Sequence, residues 1–260
     1  MGDFRVEQSV EVAARPETVW RCVTEGPLLS RWLNAEVALD PRVGGAVSIH
    51  FARYATRVVG EVRLLEPGRR IAFSWGVADG PDSGSLPPGS TEVSIGLSPT
   101  AAGGTRVTLR HAGFPDQAQR DHHVEGWEAY LGGLAAAAVR VQAGDDPDAV
   151  VAAFLSAWGE TDAGRRRDAL ERSLADDGAY RSPYSDGRGR GWFSGHVAHV
   201  QAMFPGTRVE AGDGPLLQCR DAFLGPWRAV RADGEAFTSG WNRYRFGPDG
   251  RLASVEAFFG

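Results

Sequence analysis

Six histidines occur in the 260-residue chain, and three of their settings could do chemistry. His111 ends the run Gly103-Gly104-Thr105-Arg106-Val107-Thr108-Leu109-Arg110-His111, where Val107 and Leu109 alternate with polar residues. Successive side chains on a strand point to opposite faces, so this imidazole shares the apolar face of Val107 and Leu109. A neutral imidazole placed there could act as acid, base or hydrogen-bond donor toward a bound carbonyl. The plainer alternative is a hydrogen bond to a backbone group at the edge of a cavity. Trp75, Phe114 and Trp127 are expected around it as wall, joined by Phe51 and Tyr54 if the strand register holds.

The pair His122-His123 does not make a metal site, because adjacent helical side chains diverge by about 100°. His123 falls on the stripe of Trp127 and reaches toward the cavity, whereas His122 is expected in solvent. His196 and His199 lie three apart on a predicted helix and can share a side. No third ligand stands at a matching spacing, so no metal is expected there, and no cofactor anywhere in the chain. The acid–base reading sets one of these histidines beside Tyr180, Tyr184 or Asp221. Asp221 lies in Gln218-Cys219-Arg220-Asp221-Ala222-Phe223, which reads as mid-strand, where burying a carboxylate is costly unless it serves a purpose. Trp227, Trp241 and Phe259 alternate with polar residues and are expected in core or pocket wall. Arg243 and Arg245, in phase with Trp241, read as an outward sheet surface or as an inward clamp for an anion.

The elements that must hold these residues follow from periodicity. Phe4 to Ala13 alternates as a strand, Pro16 opens a helix over 17–24, and Gly26-Pro27 separates it from a short helix over 28–33. From Gly44 to His111 apolar residues alternate in strands punctuated by turn formers, an antiparallel meander with one buried face. Between Gln117 and Val141, His123, Trp127, Leu131, Leu134 and Ala138 recur every three or four residues, one stripe of a long helix. Residues 142–147 read as a linker, with Asp146 and Pro147 starting the next helix. Helices over about 165–175 and 191–204, a strand over 178–182 and four closing strands follow. Gly247-Pro248-Asp249-Gly250 is the last hairpin turn. The expected domains are 1–141 and 148–260, both α+β.

Composition narrows the function. Hydrophobic residues make up 42% and charged residues 23%, and the net charge is −5. Arginines are dispersed rather than massed, which argues against a nucleic-acid partner. The one dense run, Arg165-Arg166-Arg167, reads as a solvated helix face. Two cysteines far apart make no disulfide framework. The N-terminal stretch has no signal-peptide core and no window is apolar enough to span a membrane, so a cytoplasmic location is expected. Phosphate-binding loops, dinucleotide fingerprints, nucleophile elbows and zinc-protease helices are missing from the sequence. Eight Trp and twelve Phe suit pockets for apolar ligands.

The first half resembles the SRPBCC (START-like, helix-grip) superfamily, and within it proteins related to the activator of heat-shock protein 90 ATPase. The resemblance rests on Ala14-Arg15-Pro16-Glu17-Thr18-Val19-Trp20, Val43-Gly44-Gly45, Gly60-Glu61-Val62, 69–75, 104–111, Gly113-Phe114 and Gly126-Trp127. It implies a curved sheet gripping a long helix around an apolar cavity. Co-chaperone activity in that family depends on an additional N-terminal module, which is not expected here. Residues 147–260 look like a SnoaL-like domain of the nuclear transport factor-like superfamily. That likeness rests on the helix pair before Tyr180-Arg181-Ser182-Pro183, on 195–200 and on 246–252. It implies a cone of sheet and helices around a second pocket, and often a homodimer formed through the sheet. The two resemblances together point to a small, largely apolar, carbonyl-rich ligand. The associated chemistry is cofactor-free cyclase, isomerase or dehydratase activity, with His111 serving one pocket and His199 or Asp221 with Tyr180 the other. The competing readings are a non-catalytic binding or regulatory module and a co-chaperone-like protein.

Overall fold

The computed structural model describes residues 4–80 and 86–260. The chain divides into two compact units, Met1–Ala138 and Val139–Gly260. The division falls within the last turns of the long helix, a few residues ahead of the polar stretch 142–147.

The first unit is a helix-grip α+β domain. Strand β1 (Arg5–Val12) leads to helices α1 (Pro16–Thr24) and α2 (Gly26–Leu33). Gly26 and Pro27 open α2 rather than merely interrupting the chain, since proline is preorganised for the first helical turn. Strands β2 (Glu36–Leu39), β3 (Ala46–Phe51), β4 (Thr56–Glu66), β5 (Arg70–Asp79), β6 (Thr91–Pro99) and β7 (Thr105–Ala112) follow, then helix α3 (Gln117–Gln142). The strands form one antiparallel sheet in the order β1-β7-β6-β5-β4-β3-β2. In β7 the burial alternates as the sequence predicts, with Val107, Leu109 and His111 all inward. Glu61 lies on the outer side and pairs with Arg63 at 2.8 Å.

The second unit begins with α4 (Pro147–Ser156), where the Asp146 side chain accepts from the Ala149 amide at 2.9 Å and Pro147 occupies the first turn. Helix α5 (Ala163–Ser173) is capped by Asp162, which accepts from the Arg165 amide at 2.8 Å. Strands β8 (Leu174–Arg181) and β9 (Asp186–Arg188), helix α6 (Arg190–Met203), and strands β10 (Arg208–Ala211), β11 (Leu217–Cys219), β12 (Ala222–Val230), β13 (Ala236–Phe246) and β14 (Leu252–Phe259) complete it. Five strands, not four, follow α6, because a short turn splits β11 from β12. The sheet runs β10-β12-β13-β14-β8-β9, antiparallel except for β14 beside β8.

One surface expectation fails. Arg166, read as part of a solvated run, is buried. Its guanidinium donates to Ser194 Oγ at 2.9 Å and to the Glu160 carbonyl at 2.7 Å, tying α5 to α6. A fixed planar fork with two acceptors offsets the cost of that burial. Arg165 and Arg167 stay in solvent. Among the described residues no helix is long and apolar enough to cross a membrane.

Candidate functional site in the second unit

In the first unit, among the described residues, aromatic side chains fill the space expected between sheet and long helix. His111 is fully buried between Trp75, Phe114, His123 and Trp127, with ring centroids 5.6, 4.3, 5.2 and 5.9 Å away. Gly113, at φ 92°, turns the chain so that Phe114 folds back over the imidazole. Both ring nitrogens are occupied. Trp127 Nε1 donates to His111 Nδ1 at 3.0 Å. An indole N–H can only donate, so Nδ1 is the acceptor and the proton of the neutral ring sits on Nε2. Nε2 lies 2.8 Å from Thr91 Oγ1, which passes its own proton to the Trp75 carbonyl at 3.0 Å. Burial, reinforced by His123, pulls the His111 pKa down to about 3.

His111 thus stands as a neutral strut whose two ring nitrogens are taken by the side chains of Trp127 and Thr91. The sheet face ends in an imidazole because Trp127 on the helix and Thr91 on the neighbouring strand need one group that both accepts and donates. Phe51 stacks on Tyr130 at 5.8 Å, whereas Tyr54 is exposed in a short 3-10 turn and forms no wall. The space left among Trp32, Phe73, Trp75 and Trp127 is about 10 Å³, room for no organic ligand.

The second unit holds a cavity of about 500 Å³. Its inner sheet face supplies Trp227 and Ala229 from β12, Thr238 and Asn242 from β13, Ala257 and Phe259 from β14, and Tyr180 from β8. Helix α6 supplies His196, His199 and Val200. On this face Gly225, Asn242 and Ala257 are cross-strand neighbours, as are Trp227, Gly240 and Phe259. None of the lining residues is Asp, Glu, Lys or Arg.

His196 is half-buried and its pKa is lowered by burial and by His199, so the ring is neutral at pH 7. It stacks flat on Trp192, with centroids 5.1 Å apart and planes 7° from parallel. Trp192 in turn lies on the Gly187 backbone, where a Cβ would overlap its ring. His196 Nε2 is 3.4 Å from Ser185 Oγ, which is 2.9 Å from Ser182 Oγ. Ser182 also accepts from the Tyr184 and Ser185 amides and so fixes this turn. Tyr180, beside Ser182, is buried enough to push its pKa up to about 12 and remains a donor. His199 and Tyr184 are exposed at the mouth.

Two buried polar atoms of residues that line the cavity have no partner, Trp227 Nε1 and Asn242 Oδ1. Leaving a buried polar atom unpaired costs about 1–3 kcal/mol.

Two expected residues lie elsewhere. Asp221 sits in the turn Arg220-Asp221, forced by Arg220 at φ 56°, and its carboxylate pairs with Arg245 at 3.1 Å. It faces no cavity. Trp241 points to the outer sheet face because Asn242, Tyr244 and Phe246 take the inner phase of β13. Arg243 shares that outer face and pairs with Glu256 at 3.0 Å, so neither arginine is an inward clamp. Sequence reading missed Asn242, Ser182 and Ser185. The signal for Asn242 was its even phase with Tyr244 and Phe246; the serines owe their place to a turn that periodicity does not reveal.

Fold and site thus define a protein of two α+β units, a helix-grip domain whose space under α3 is packed with aromatic rings and a domain with an open aromatic cavity. The family model for Activator of Hsp90 ATPase homolog 1-like protein matches residues 13–138, just under half of the chain, and this segment is a domain of that kind. Among solved structures, protein MLL2253 of Mesorhizobium loti is 26% identical with a TM-score of 0.47, over 52% of this chain and 97% of its own. A protein of the SnoaL-like family from Agrobacterium tumefaciens is 23% identical with a TM-score of 0.41, over 46% of this chain and 98% of its own. The AHSA1-like protein RHE_CH02687 of Rhizobium etli is 34% identical with a TM-score of 0.42, over 53% of this chain and 82% of its own. No curated protein matches the chain.

Proposed function

We propose that the protein binds a small, uncharged, largely apolar carbonyl compound in the cavity of the second unit and moves a proton on it without a cofactor. The observation that carries this reading is an aromatic cavity of about 500 Å³ without charged lining, holding a neutral histidine and a protonated tyrosine. Its volume lies in the range of small-molecule sites. Trp227 Nε1 supplies an unmatched donor for the carbonyl oxygen. Neutral His196 takes the acidic proton next to that carbonyl, and the Ser185, Ser182 and Tyr180 hydroxyls behind it offer a route along which the proton can be passed. Tyr180 and Trp227 steady the enolate oxygen as charge develops. This chemistry suits an isomerase, cyclase or dehydratase.

The probe is 2-tetralone, a neutral bicyclic ketone with an acidic CH₂ group. Full-length protein is expected to bind it, measured by calorimetry, and Val200→Trp, which fills the cavity from α6, should weaken binding at least tenfold. Equal binding by the variant would place the ketone elsewhere and end this reading.

The outer sheet face of the same unit favours a second copy of the chain as partner. Pro226, Trp241 and Phe258 form a cross-strand row, with exposed Leu217 and Leu224 beside it. Trp241→Glu is expected to convert a dimer to a monomer in sedimentation velocity; a wild-type monomer at every concentration tested would refute the dimer.

A further inference from the structure

The unmatched acceptor on the cavity floor, rather than the proton-transfer groups, points to what the ligand must carry. Asn242 lies on the inner sheet face between Gly225, which Leu216 covers, and Ala257, which lines the cavity beside it. Its amide is buried. Nδ2 donates to Tyr244 Oη at 3.0 Å, while Oδ1 has no partner. The Tyr244 hydroxyl is itself fully buried, with a pKa raised to about 12 by that burial, so it stays protonated while accepting from the amide. An apolar residue of the same shape would remove the unpaired oxygen and take from the Tyr244 hydroxyl its Nδ2 donor, so Tyr244 accounts for one end of the amide and not for the other. A polar side chain kept on an otherwise small and apolar floor is accounted for when an incoming group completes its hydrogen bonds.

We propose that Asn242 is a specificity residue, accepting a hydrogen bond at Oδ1 from a hydroxyl or enol of the ligand. Trp227 Nε1, on the same inner face one diagonal away, remains free for the carbonyl. The favoured ligand class is therefore an uncharged hydroxy-carbonyl compound with a flat apolar body. Donor and acceptor on the floor together reject a plain hydrocarbon and a fully etherified analogue. This inference rests on the second-unit cavity being the binding site.

The test compares 2-naphthol with 2-methoxynaphthalene by calorimetry on the full-length protein. The ether is the more apolar of the two, so burial alone would favour it. The wild type is expected to bind the naphthol about tenfold more tightly, and Asn242→Leu to abolish that preference while keeping or improving affinity for the ether. Asn242→Ala gives the same ratio test should leucine not be accommodated. Equal affinities in the wild type, or a preference that survives both substitutions, overturn the Asn242 assignment while leaving the cavity reading intact. Failure of both probes to bind, or binding that Val200→Trp does not affect, overturns the cavity reading and this inference with it.

Discussion

His111→Ala is expected to destabilise the first unit by about 4 kcal/mol, combining the cavity left by the ring with unpaired groups on Trp127 and Thr91. The ring touches four aromatic neighbours and holds both polar partners, so nothing nearby can replace it. His111→Phe keeps most of the packing and strands only the hydrogen-bonding groups, so it should cost less. The two variants also separate through pH. The folded pKa, about 3, lies below the 6.5 of the unfolded chain, so the unfolded state binds the extra proton between those values. The stability tied to a neutral His111 is therefore complete above pH 6.5 and declines by up to about 1.4 kcal/mol per pH unit as pH falls toward 3. Chemical denaturation at pH 7.5 and 5.0 should show this loss in the wild type, and less of it in His111→Phe. A destabilisation under 1 kcal/mol, or an unchanged pH difference, would contradict the strut. Binding of 2-tetralone should survive in both variants wherever they are folded.

His196→Phe carries the largest expected effect on chemistry. Phenylalanine can keep the stack on Trp192 and the packing against Trp158 and Tyr180 while removing the base. Exchange of the acidic protons of 2-tetralone for deuterium, followed by proton NMR in D₂O, is expected to fall about 100-fold relative to the wild type, within the usual range for a general base. Affinity for the ketone should change little, because the cavity wall stays in place. In the wild type the exchange rate should drop as pH falls through the lowered pKa of His196, since only the neutral ring accepts a proton. Equal exchange in both proteins would remove His196 from the chemistry and leave a binding module.

How far the sequence reaches differs from residue to residue. Capping and turn chemistry is local, so Asp146-Pro147 and Gly247–Gly250 are legible from the residue types alone. The inward phase of His111 follows from strict alternation in β7. Its role does not, because that is decided by Thr91 and Trp127, which only folding brings to its two nitrogens. The same limit hides the filling of the first cavity: a curved sheet under a helix predicts space, but ring orientation decides how much remains. Strand β13 misleads for another reason. It carries aromatic residues on both faces, Trp241 outward and Tyr244 and Phe246 inward, so apolar alternation alone does not choose the register. Asp221 reads as mid-strand because nothing in its neighbours' types marks the two-residue turn at Arg220-Asp221 that separates β11 from β12.

The central claim, that ligand enters the second unit and not the first, is tested most directly by the indole N–H resonances of the full-length protein. In a ¹H–¹⁵N spectrum recorded with and without 2-tetralone, the Trp227 signal, assigned through Trp227→Phe, should shift as its unpartnered N–H meets the carbonyl. The Trp127 signal, held by His111, should stay in place. Movement of Trp127 and Trp75 with Trp227 unchanged would put the ligand in the helix-grip domain and contradict the account.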